Sequence, residues 1–202
     1  MDPNASFDTE EVEHEYSNAY DGPQPYNYEP ARRPRDQEHP RIRRNNGHRR
    51  EIELWCEENQ WRTGQLSWCL CGECQPMTSA VESMCCREVE PFWALVENLT
   101  PRPDITCLTL HPGFEACCLN PFVLQIAYMN FRQEHGPLQA SRHEQYRYTA
   151  YRQVIRWAYG VLGRHIRKPL PSCVVSAIRR QFPEEGGGIY KGFEWPHFGD
   201  DQ

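Results

Sequence analysis

Ten cysteines are spread through this chain of 202 residues, and the spacing of six of them constrains the fold more than any other feature. Cys71 and Cys74 form a Cys-x-x-Cys turn, Cys85 and Cys86 are adjacent, and Cys107 and Cys173 stand alone. A Cys-x-x-Cys turn points both thiolates at one ion, and its backbone N–H groups offset their charge. An adjacent pair is strained when it serves one tetrahedral ion but can supply two neighbouring ones. Two tetrahedral ions present eight coordination positions, which six sulfurs fill when two of them bridge. The expected ligands are therefore Cys71, Cys74, Cys85, Cys86, Cys107 and Cys173, holding two zinc ions. Cys56, Cys69, Cys117 and Cys118 are assigned to core or surface, with Cys69 or Cys118 as reserves. The competing reading makes several of these cysteines small buried apolar residues. Metal is favoured because the stretch around the turn has too little aliphatic content to hold itself together.

Compartment supports the same reading. The chain opens Met-Asp-Pro-Asn and stays acidic, unlike the basic start and apolar run of a secretory signal, so it is expected to remain inside the cell. There, clustered thiols are more often metal ligands than disulfides. Hydrophobic residues make up 39%, the mean hydropathy is −0.81, and no stretch approaches the roughly 18 consecutive apolar residues of a membrane helix. The expected address is the cytoplasm, with the nucleus as the alternative.

Residues 1–50 combine Pro, Asn, Tyr and charge with almost no aliphatic side chains, and so read as a disordered tail, acidic first and then Arg-rich. Arg32, Arg33, Arg35, Arg41, Arg43, Arg44, Arg49 and Arg50 crowd residues 31–50, which could contact nucleic acid or act as a solvated linker. The net charge of −6 runs against nucleic-acid binding by the chain as a whole. A packed unit is expected over 51–202, where Trp55, Trp61 and Trp68 appear with the first cysteines.

Within that unit, Leu66 to Pro76 reads as a tight loop, 78–88 as a short helix, and 91–113 as irregular because of its prolines. Three helices follow. The first has Asn120 as N-cap, Pro121 in its first turn and Gly136 after its end. The second buries Tyr151, Val154, Ile155, Ala158 and Leu162 along one stripe. The third opens at Ser172 and is stopped by Pro183, which puts Cys173 in a first turn where the helix dipole favours a thiolate. Arg164 to Arg167 could form an extended connector, and Ile189 to Trp195 a closing aromatic segment. The fold class is thus mainly α with short extended segments: a small zinc-stabilised cytoplasmic domain behind a disordered N-terminal tail.

Catalytic readings find little support. His111, His135, His143 and His165 sit in no recognisable nucleophile context, Cys71 to Cys74 lacks the strand and helix pattern of a thioredoxin site, and Gly186 to Gly188 open no helix as a phosphate loop would. The chain is expected to bind rather than catalyse.

Several motifs carry a further likeness. Trp68-Cys-Leu-Cys-Gly-Glu-Cys74, Cys85-Cys86-Arg87, Ile105-Thr-Cys107, His111-Pro-Gly-Phe-Glu115, Cys118-Leu-Asn-Pro-Phe-Val-Leu124, Tyr148-Thr-Ala-Tyr-Arg152, Leu170-Pro-Ser-Cys173, Phe182-Pro-Glu-Glu185 and Tyr190-Lys-Gly-Phe193 recur in order. In these the chain resembles, over about residues 66–197, the cytoplasmic C-terminal (intracellular) domain family of the P2X purinoceptor, subtype seven. The resemblance implies a compact helical unit with a dinuclear zinc centre on the same six cysteines, and a guanine nucleotide, GDP or GTP, near Arg147 and Tyr151. Tyr148 stands where the family has His, Val175 where it has Arg, and Glu184 where it has Lys, which lowers the positive charge available to a polyphosphate. The channel's membrane helices have no counterpart here, so the role implied is a non-enzymatic interaction or scaffold domain with an intracellular protein partner. The alternative is a nucleic-acid-binding protein working through residues 31–50.

Overall fold

The computed structural model describes residues 41–99, 104–162, 166–185 and 190–195. Most of residues 1–50, assigned above to a disordered tail, and part of the Arg164 to Arg167 connector lie outside these residues. The fold is mainly helical, and the described residues contain no strand.

The first helix, α1, spans Arg41–Glu58, so the boundary expected at residue 50 falls inside it. An ion pair one turn apart, Arg49 to Glu53 at 2.7 Å, supports the helix across that boundary. Arg62, in the 3-10 turn Gln60–Arg62 that follows, then organises the corner. Its guanidinium lies 5.1 Å, 5.3 Å and 5.8 Å from the ring centroids of Trp55, Trp61 and Trp68. It also donates to both carboxylate oxygens of Glu88 at 2.9 Å. Cation–π contact and a charge pair in which Nη1 alone serves both carboxylate oxygens together fasten the end of α1 to the cysteine-bearing loops.

The expected helix over 78–88 is only a 3-10 turn, Ala80–Glu82. A regular helix here would fix the directions of Cys85 and Cys86, whereas irregular backbone lets the two sulfurs go separate ways. Conversely, the expected irregular stretch 91–113 contains α2, Glu90–Glu97. Pro91 sits in the first helical turn, where its missing N–H costs nothing. A 3-10 turn (Leu108–Leu110), the single turn α3 (Pro112–Phe114) and a π turn (Glu115–Leu119) carry the chain onward.

The next helix, α4, spans Pro121–His135. The Asn120 side chain accepts from the N–H groups of Phe122 and Val123 at its start, and Gly136 follows its end. Helix α5, Arg142–Tyr159, is capped by Ser141 and ends before Leu162, which lies outside it. Helix α6 spans Ser172–Gln181. α5 is the centre: α2, α4 and α6 all pack against it. Phe92, Val96, Leu108, Phe114, Leu124, Val154, Val174 and Ile178 are fully buried and form one core with the cysteines. Burying each such side chain contributes about 1.5–3 kcal/mol. Phe92 meets Tyr159 edge-on at 5.3 Å, closing the α2–α5 contact.

Candidate metal centre

Seven sulfurs from four stretches of chain converge beside the N-terminus of α6. They form two groups of four, in each of which the sulfurs lie within 4.8 Å of one another. Cys69, Cys71, Cys74 and Cys85 make one group; Cys71, Cys86, Cys107 and Cys173 make the other. Cys71 belongs to both. The adjacent cysteines divide as their geometry requires, Cys85 to one group and Cys86 to the other.

The spacing suits metal rather than disulfides. The Sγ···Sγ distances are 3.8 Å for Cys69–Cys71, 3.7 Å for Cys71–Cys74 and 3.8 Å for Cys86–Cys107. A disulfide needs about 2.05 Å. Four sulfurs at about 2.3 Å from one tetrahedral ion have edges of about 3.8 Å. All ten cysteines are free thiols, and every residue of both groups is buried except Cys69, which is half-buried.

Local backbone explains how the loop can hold three of the sulfurs. Gly72 takes φ +83°, a left-handed conformation that side chains rarely adopt, and this turn aims N–H groups back at the thiols. Gly72 donates to Cys69 Sγ at 3.3 Å and Glu73 to Cys71 Sγ at 3.5 Å. Leu108 N–H reaches Cys86 Sγ at 3.5 Å, and Thr109 reaches Cys107 Sγ through its hydroxyl at 3.1 Å and its N–H at 3.4 Å. Donors of this kind stabilise thiolates.

The electrostatics divide the cluster: Cys71, Cys85 and Cys107 are held below their ordinary value, and Cys74, Cys86 and Cys173 above it, each chiefly by neighbouring sulfurs. Hydrogen bonds from Cys107 and Cys173, then from Cys74 and Cys85, hold the Cys71 thiol far below its ordinary value against the effect of burial. Contact with Cys71 pulls Cys85 upward, yet Cys74, Cys86 and the Arg87 backbone bring it down to about 6. By contrast, Cys118 is pushed up to about 12, chiefly by burial. It is a core residue remote in character from the cluster.

Ser172 locks Cys173 in register with the other sulfurs. Its hydroxyl donates to the Gln75 carbonyl at 2.5 Å and accepts the Gln75 N–H at 2.9 Å, while its own N–H reaches the Met84 carbonyl at 3.0 Å. Backbone beside Cys74 and Cys85 is thereby fixed to the turn that carries Cys173.

The structure brings all six expected cysteines together and adds Cys69, held only as a reserve above. The count changes accordingly: two tetrahedral ions would find eight positions in seven sulfurs with one bridge, where six needed two. The signal was present as Cys69-x-Cys71, one step before the Cys-x-x-Cys turn. The two residues expected near a nucleotide, Arg147 and Tyr151, lie one turn apart on α5, with Arg147 buried and Tyr151 half-buried. Neither belongs to the sulfur groups.

Among the described residues, no helix is long and apolar enough to cross a membrane. A family model described as the P2X purinoreceptor 7 intracellular domain matches residues 23–194. The chain is 29% identical over 161 residues to P2X purinoceptor 7 of Mus musculus, covering 75% of this chain and 24% of that receptor. It is 30% identical over 139 residues to P2X purinoceptor 7 of Rattus norvegicus, covering 64% of this chain and 20% of the receptor. It therefore spans a quarter or less of the length of these relatives. With most of its length, both sulfur groups and the central helices inside the matched region, the chain belongs to the P2X purinoreceptor 7 intracellular domain family.

Proposed function

We propose that this chain is a non-enzymatic interaction domain whose fold depends on two zinc ions, one held by Cys69, Cys71, Cys74 and Cys85 and the other by Cys71, Cys86, Cys107 and Cys173. The observation that carries this reading is the membership of Cys71 in both groups, which lets seven sulfurs serve two tetrahedral ions. An all-sulfur donor set favours zinc over the hard, oxygen-seeking cations. Filled by thiolates at every corner, each ion keeps no position for water or substrate, so its role is structural. It supplies the cohesion that the turn-rich, strand-free and helix-free loop Leu66–Pro76 lacks, and ties it to the Cys107 and Cys173 segments. The surface so stabilised is offered to an intracellular protein partner.

Metal analysis of the purified chain tests the reading. Close to two zinc per chain is expected, falling to about one in Cys69→Ser, whose substitution leaves the fully buried group intact. A metal-free chain that unfolds cooperatively, with the same midpoint as the purified one, would overturn it.

A further inference from the structure

The resemblance places a guanine nucleotide beside Arg147 and Tyr151, and the contacts of Arg147 bear directly on that expectation. Arg147 is 5% exposed, and its guanidinium is taken up by its own chain. Nη1 donates to the carbonyl oxygens of Phe182 at 2.9 Å and Pro183 at 3.1 Å, and Nη2 pairs with the Glu184 carboxylate. The Tyr190 ring lies against the same group, 5.2 Å from centroid to Cζ. Arg179 of α6 lies 4.5 Å from that ring as well and pairs with the buried Glu82 at 3.3 Å. Each arginine therefore already has a carboxylate, and both touch one aromatic ring.

The segment carrying Tyr190 is closely fitted. The Tyr190 hydroxyl accepts the backbone N–H of Glu184 at 3.2 Å. Two residues on, Gly192 has φ +77°, and a Cβ there would stand 2.9 Å from a Glu82 carboxylate oxygen. Only glycine lets the backbone approach Glu82 so closely. An arriving phosphate would have to break the ion pair of a buried arginine with a half-buried carboxylate and displace an aromatic ring, while the approaching anion met the charge of Glu184.

We infer that this chain fills its own anion site: the Glu184 carboxylate and the Tyr190 ring take the place of a nucleoside diphosphate, and the Arg147–Tyr151 face fastens Tyr190–Trp195 to α5 and α6 instead of taking guanine nucleotide. This rests on side-chain contacts alone and is independent of the metal reading.

Two measurements on the full chain test it. Titration with fluorescent N-methylanthraniloyl-GDP, up to about 1 mM at physiological ionic strength, should give no saturable signal with the wild type. Glu184→Gln should bind the same probe at least about tenfold more tightly than the wild type does, because the Arg147 charge is released. The same variant should also be cut by trypsin after Lys191 about tenfold faster, because Tyr190 is held less firmly. If Glu184→Gln fails to fold, Glu184→Ser serves in its place. Saturable wild-type binding that Arg147→Ala removes would overturn the inference, as would a folded Glu184 variant unchanged in either nucleotide binding or cleavage rate.

Discussion

The sulfur cluster and the arginine face lie on opposite terms with the rest of the molecule. The cluster gathers like groups, seven thiols in two quartets that could each hold a metal ion. The arginine face gathers unlike groups: Arg147 pairs with Glu184 and Arg179 Nη2 with Glu82, both against the Tyr190 ring, while Arg179 Nε is buried without a hydrogen-bond partner among the described residues. On the proposed reading the first arrangement is completed by ions from outside the chain, and the second is held by the chain's own side chains. Their failures should differ in kind: losing the shared Cys71 should disassemble the unit, whereas losing a clamp residue should loosen one edge.

The sharpest break in that comparison is Cys71→Ser, which removes a corner from both groups. Both ions should be lost, and with them cooperative unfolding, since binding of a structural zinc is worth on the order of 10 kcal/mol and the whole domain holds about 5–15. Elemental analysis alongside a circular-dichroism melt checks this, and retention of two ions would mean that Cys71 is not shared.

Arg147→Ala should have a smaller effect. It strands the buried Phe182 carbonyl and the Glu184 carboxylate, while the Pro183 carbonyl keeps the His143 ring, at a cost of about 2 kcal/mol and with the metal content unchanged. Denaturant titration with parallel metal analysis separates the two effects. A loss of metal would show that the regions are not independent.

The smallest effect concerns the adjacent pair Cys117 and Cys118, which lie outside both groups. Cys117 is exposed and Cys118 fully buried. In the native chain at mildly alkaline pH, iodoacetamide should label Cys117 and spare Cys118, as peptide mass mapping would show. Burial raises the Cys118 value to about 12, so its neutral form is favoured by the fold. Its contribution to stability is complete below pH about 9, where the unfolded thiol is also protonated, and is lost as pH rises towards 12.

Sequence legibility followed the same division. The convergence of the cysteines is readable because the Cys-x-x-Cys turn and the adjacent pair limit which sulfurs can meet, and α4 and α6 because Asn120, Gly136, Ser172 and Pro183 mark their ends. Helix α1 was hidden by its composition, Arg41 to Arg50 reading as a polar tail although Ile52, Leu54 and Trp55 continue the same helix. Helix α2 was hidden by Pro91, a breaker in mid-helix but acceptable in a first turn. The Arg147–Glu184 pair left no periodic trace, since α5 and the segment after α6 are brought together only by tertiary packing.

Ser172 ties residue 75 to a partner 97 positions further along. A ribosome adding roughly 5–20 residues each second delivers the Cys69–Cys85 stretch several seconds before Cys173 emerges. The all-buried quartet must therefore wait for its last member, and during that interval the nascent thiols stay vulnerable to oxidation or to capture of the wrong ion.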